Sequence, residues 1–365
     1  MTPGTRAGAT GRARSRLVKL ALVAIAVVAL GWCVHPLDPR AVLVLARNAS
    51  PSWLALSGVA VVARFLLWGV KWQRMLARRA PVPLSVVLRA ILAGSFVNLT
   101  TPTFKLAGGF VRAAIISRRC GWPMLDACGH AVADQGTNAI GHLALYGLVS
   151  VLAARGLPPG PMRLGLVTSG ALVLGVLVAF VVFRGPIWRL ALRPAPNRLL
   201  ARLLRREPSE EAEEPDLARV LRPLLGPSVS RTAWAQDVGL AVTSIASVCI
   251  SNVLVLRAVG VDAPIPIVAS AVLLSYFAGT AAGIGGGLGV TEVALATLYA
   301  ELGLAAEAAA TGVLLHRGMF YAIVLGCGGL ALAIESRGQA PRRRPPGLPV
   351  GASVSNGDSP RSPRP

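Results

Sequence analysis

Acidic residues and polar stretches are scarce in this chain. Sixteen Asp and Glu stand against 37 Lys and Arg over 365 residues, for a formal net charge of +21. With 54% of residues apolar and a mean hydropathy of +0.61, too little polar sequence exists to surface a soluble domain of this length. Cysteine patterns are missing too. Cys33, Cys120, Cys128, Cys249 and Cys327 are scattered, without CxxC or metal-ligand spacing, and read as small core residues that say nothing of redox compartment. No GKS/T follows the glycine clusters, which excludes a P-loop, and no nucleophile elbow marks serine hydrolase chemistry. The sequence therefore calls for no cofactor.

What is present is a series of apolar runs of bilayer-spanning length between residues 17 and 335. They predict an all-α polytopic membrane protein with about six full spans, near 17–34, 53–70, 125–154, 164–183, 234–256 and 311–334. The first of these follows a basic segment without a convincing small-residue cleavage site, and is expected to stay as a signal-anchor helix. Residues 1–16 and 336–365 read as disordered basic tails, and 184–233 as a loop holding a basic amphipathic helix (197–207) and an acidic linker (207–216). A nucleic-acid footprint would be a basic face on a soluble domain. Here the arginines collect in tails and loops, the pattern of segments held on the cytoplasmic side, so both termini are expected there and no nucleic acid is expected as a partner. Membrane lipids with anionic headgroups are the expected partners, and the basic loop offers a surface for a membrane or cytoplasmic protein.

Two segments break the pattern. Residues 84–100 are apolar but end in Thr100-Thr101-Pro102, and residues 275–289 (SYFAGTAAGIGGGLG) put glycines where a helix should continue. Backbone that leaves the helix at membrane depth is tolerated only where protein buries it or a polar cavity adjoins it. Each break predicts a re-entrant helical hairpin, the first opening inward and the second outward. The chain then divides into half one (17–157) and half two (164–335), each reading span, span, broken hairpin, span. The spacing agrees: Gly109 precedes Arg112 by three and Gly289 precedes Glu292 by three, while Gly121 and Gly303 each stand about thirteen residues before Asp134 and His316. An inverted repeat with interrupted helices points to a transporter site between the halves.

A charge at the bilayer centre costs a few kcal/mol, on the order of 3 on insertion scales, so buried ions need partners. Two pairs are expected, Arg112 with Asp134 and Glu292 with Arg317, either flanking a cavity or stapling hairpins to neighbouring helices. Gly286, Gly287 and Gly289, with a helix starting near Val290, would present backbone N–H groups to an anion, and Gly108 and Gly109 beside Lys105 would do likewise in half one. Close helix packing is the plain alternative for those glycines. His316 and His130 are candidates for a proton-coupled role. Asp126, His130, Asp134, Asn138 and His142 recur at four-residue steps, but no second ligand cluster supports a metal site. Arg64 is either a substrate ligand or an arginine paired inside the bundle. Lys71-Trp72-Gln73-Arg74 reads as an interfacial anchor.

Through 70–76 (VKWQRML), 98–112 (NLTTPTFKLAGGFVR), 284–295 (IGGGLGVTEVAL) and 314–317 (LLHR), the chain resembles the lysylphosphatidylglycerol synthetase/flippase transmembrane-region family, the membrane half of the multiple peptide resistance factor. It departs from that pattern where Ala281-Ala282 replace a proline and where Phe110 follows Gly109 in place of a glutamate. The resemblance implies a cell-membrane protein that flips or transports a phospholipid or lipid-linked anionic molecule. It does not imply an enzyme, since no soluble aminoacyltransferase domain is present. The alternatives are a membrane-embedded transferase on a lipid-linked substrate and a non-transporting scaffold subunit.

Overall fold

A computed structural model describes residues 38–101, 106–192, 216–226, 229–281, 287 and 289–337. The expectations for the two tails, the first span, the amphipathic helix, Lys105 and Gly286 lie outside the described residues. Within them the protein is helical, with no strand. Eleven helices follow in order: α1 (Pro39–Arg47), α2 (Pro51–Ala77), α3 (Leu84–Thr100), α4 (Leu106–Cys120), α5 (Met124–Arg155), α6 (Pro161–Ala191), α7 (Asp216–Leu225), α8 (Arg231–Ala258), α9 (Ile265–Ala281), α10 (Val290–Glu301) and α11 (Ala306–Arg337). Five of them, α2, α5, α6, α8 and α11, are long and apolar enough to cross a membrane, so this is a multi-pass α-helical membrane protein.

Starts and stops follow local chemistry. Asp38 accepts from the Arg40 N–H (2.9 Å) and Pro39 occupies the first turn, which makes α1 a helix between the first two expected spans. Ser230 caps α8 through the Ala233 N–H (3.1 Å). Helix α7 was not anticipated inside the charged loop. Its apolar residues Ala218, Leu224 and Leu225 are buried, and its backbone crosses α5 so closely that a side chain at Gly129 would meet Val220 O at 3.0 Å.

Residues 51–155 and 231–337 each run long helix, two short helices, long helix, and the short pairs α3–α4 and α9–α10 pack as hairpins. Both pairs are followed by a glycine at positive φ, Gly121 (68°) and Gly303 (90°). Helices α2 and α8 form the central contact, where Ser57 Oγ meets Ser251 Oγ (2.7 Å) and Ser244 Oγ donates to Arg64 O (3.0 Å). Lipid tails are as apolar as leucine, so small residues and interhelical hydrogen bonds hold such contacts. Each first hairpin helix also leans on the last long helix of the other segment, α3 on α11 and α9 on α5. One apolar cluster surrounds Trp72, Met75, Ile91 and Ile116, and a second surrounds Tyr146, Leu256, Leu273 and Tyr299. Helix α6 adds only partly buried residues to them, Phe180, Ile187 and Trp188 against the first and Val173 against the second. Its Leu172, Val178, Val182 and Phe183 are exposed, as lipid-facing residues are.

Candidate functional site

Between the two segments lies a cavity of about 310 Å³, lined in part by Arg64, Trp68, Asn138, His142, Tyr276 and Arg317. The ends of both first hairpin helices reach it, Asn98 from α3 and Thr280 from α9. Arg64 comes from the middle of α2. Its guanidinium lies 5.8 Å from the Phe65 and Trp68 rings and 6.0 Å from Phe320, and no carboxylate among the described residues is in ion-pair reach. Its Nε is buried without a hydrogen-bond partner. Pairing inside the bundle, one of the two expectations for this residue, is not found among the described residues. On the opposite side Arg317 sits 5.4 Å from the Tyr276 ring, and His142 Nε2 is 2.9 Å from Leu273 O. Among the described residues the cavity thus offers cations and aromatic faces but no acid.

The carboxylates lie behind its walls. Asp134, fully buried, is held by Arg112 Nη1 (2.5 Å), Lys71 Nζ (2.8 Å) and Trp68 Nε1 (3.0 Å). Lys71 Nζ also donates to Thr137 Oγ1 (2.9 Å) and Asn138 Oδ1 (2.7 Å), and Arg112 stacks on Trp68 and Trp72. The expected Arg112–Asp134 pair is therefore a closed three-charge cluster that touches the cavity only through Trp68 and Asn138. Lys71 and Trp72 were assigned to the membrane interface, and the structure corrects this: both are completely buried. The missed signal is the spacing of Trp68, Lys71, Trp72 and Met75, which marks one buried helix face.

In the second segment Glu292 accepts a short hydrogen bond from Tyr321 OH, and Arg317 Nε lies 3.2 Å from its Oε1 without the alignment to donate. Glu292 Oε2 is buried and unbonded. His316, grouped with Arg317 in the sequence, faces elsewhere. Neighbouring helix positions point about 100° apart, and His316 Nε2 meets Asn252 Nδ2 of α8 at 3.2 Å, away from the cavity. His130 and Asp126 lie at the far end of α5 and do not join the cavity.

Among the glycines, Gly108 corrects the anion-cradle expectation. Its N–H is spent on Asn98 Oδ1 (2.8 Å), and an added Cβ would fall well inside contact with the Gly94 carbonyl and the Asn98 side chain. It is a packing glycine. A Cβ on Gly109 would meet nothing within 4 Å. Gly108→Ala is expected to destabilise the hairpin by about 1–3 kcal/mol, the usual cost of overpacking, and Gly109→Ala to leave the thermal unfolding midpoint in detergent nearly unchanged. Equal midpoints for the two variants would contradict the packing role. Gly287 (φ 76°) and Gly289 (φ 79°) do take left-handed conformations ahead of α10, which begins at Val290. Gly287 packs on Gly279 and Thr291 and so closes the second hairpin.

A multi-pass helical bundle with a cation-lined cavity between two hairpins defines the class of protein. Residues 17–328 match the family described as Lysylphosphatidylglycerol synthase TM region, and the chain belongs to that family. No curated protein matches the chain.

Proposed function

We infer that the protein moves a lipid with an anionic headgroup across the cell membrane, with the central cavity as the headgroup site. The single observation that carries this reading is Arg64, a guanidinium in a mid-helix, aromatic-walled cavity with no carboxylate beside it among the described residues. An uncompensated ion in low dielectric is costly, and an anionic ligand would offset that cost. The headgroup phosphate would sit between Arg64 and Arg317, with Trp68 and Tyr276 beside the glycerol region. Mutual leaning of α3 on α11 and α9 on α5, together with matched helix lengths, supports an inverted repeat. Rocking of one half against the other would then open the cavity to each leaflet in turn. The arginine-rich ends favour cytoplasmic termini.

The test is a translocation assay with headgroup-labelled phosphatidylglycerol in vesicles carrying purified protein. Flip rates no faster than in protein-free vesicles, or turnover of the lipid as a covalent donor, would overturn the transport reading. Glu292→Gln serves as a finer probe. Glu292 bonds Tyr321 and approaches Arg317, so its neutralisation should free Arg317 to hold the headgroup more tightly and slow release. The expected outcome is a lower flip rate with folding retained, and an unchanged rate would remove Glu292 from the cycle.

A further inference from the structure

A second pocket, of about 290 Å³, lies apart from the central cavity where the C-terminal end of α2, the start of α5 and the strap helix α7 meet. We propose that it binds a phosphate-type anion, either free in solution or as a lipid headgroup. Two arginines share one acid there: Asp126 Oδ2 takes Arg79 Nη1 at 2.8 Å and its Oδ1 takes Arg219 Nη2 at 3.0 Å. One negative charge cannot neutralise two guanidinium groups, so the wall stays cationic. Arg78 joins the lining while holding Asp237 at 2.6 Å. The second, independent observation is His130. It is 7% exposed, lines the pocket, and its Nδ1 is buried with no hydrogen-bond partner among the described residues. With the ring proton on Nδ1 this nitrogen would be a buried donor lacking an acceptor, which is costly, and an anion in the pocket would supply one.

Trp122 organises these groups. Its ring lies 5.0 Å below the Arg79 guanidinium and 5.2 Å from the His130 imidazole, so both are held against a rigid plane. Guanidinium forks suit phosphate oxygens in pairs. One of them comes from α7, whose seat on α5 depends on small residues at Gly129 and Gly136. An anion bound here would bridge α2 and α7, tying the loop between α6 and α8 to the central helix pair.

Full-length protein in detergent is titrated with labelled inorganic phosphate. In parallel, retention of phosphatidylglycerol against phosphatidylcholine is measured by native mass spectrometry after release from mixed-lipid nanodiscs. The lipid arm uses the Arg64→Gln background, which removes one of the two arginines on the wall of the central cavity and so weakens competing retention there. Saturable phosphate binding, weakened at least tenfold by Arg219→Gln and by His130→Gln, assigns a soluble anion. Selective retention of phosphatidylglycerol, lost in the same variants, assigns a headgroup. Should Arg219→Gln fail to fold, Arg79→Gln replaces it, and the unsubstituted protein is measured in either case. Neither ligand binding to the unsubstituted site, or binding undiminished in the Arg79, Arg219 and His130 variants, overturns the proposal.

Discussion

Asp134→Asn is expected to cost the protein about 3–5 kcal/mol, the usual consequence of stripping one partner from a buried ion group. The asparagine keeps the shape but leaves Lys71 and Arg112 fully buried with no anion between them. Trp68 and Trp72 would still face Arg112 with their rings, but cation–π contacts are worth only about 0.5–2 kcal/mol each. The loss should appear as a sharp fall in the thermal midpoint, or as aggregated protein on size exclusion in detergent. Lys71→Met makes the comparison informative. It removes one of the two cations and leaves a balanced Arg112–Asp134 pair, so its penalty should be smaller despite the hydrogen bonds that Thr137 and Asn138 lose. Equal penalties would mean that shape, not charge, holds the cluster together.

Arg64→Gln is expected to remove most lipid translocation while leaving the fold intact. Arg64 bridges no acid among the described residues, so its neutralisation breaks no ion pair and strands no carboxylate. A charge-assisted hydrogen bond to a headgroup contributes about 1.5–3 kcal/mol, which corresponds to roughly a tenfold to hundredfold rise in the lipid concentration for half-maximal rate. Arg64→Lys should retain part of the effect, because it keeps the charge but loses the planar fork that fits phosphate and stacks on Trp68 and Phe320. Flip rates in Arg64→Gln equal to those of the unsubstituted protein would remove the cavity from the transport path.

Much of the architecture was legible from the residues. Five of the six anticipated spans fall on long helices among the described residues, and both interruptions, at Thr100 and at the glycines before Val290, fall between paired short helices. The two ion pairs were legible because a lone charge among so many apolar residues must find its opposite, and each half holds few candidates. The site itself was not. Lys71 looked interfacial because tryptophan, lysine and arginine side by side are what a membrane boundary shows. The side-chain spacing that contradicts this matters only once α5 is seen to pack there with Asp134. His316 and Arg317 looked like one unit because they adjoin in sequence, and the turn of α11 sends them to different neighbours.

The sequence by itself determined that the chain is a bundle of membrane helices, where the helices break, and that Asp134 and Glu292 each need a cation beside them. Those outcomes follow from the cost of exposing polar backbone or a lone ion to lipid, a cost paid locally wherever such residues occur. Only the tertiary structure decided which charges face an open space and which are sealed away. Arg112 and Arg317 are alike in the chain, each an arginine in an apolar helix near a carboxylate. Packing of α2 and α5 seals the first behind Trp68 and Trp72, whereas the gap between α2 and α11 leaves the second, with Arg64 across from it, on the wall of the cavity.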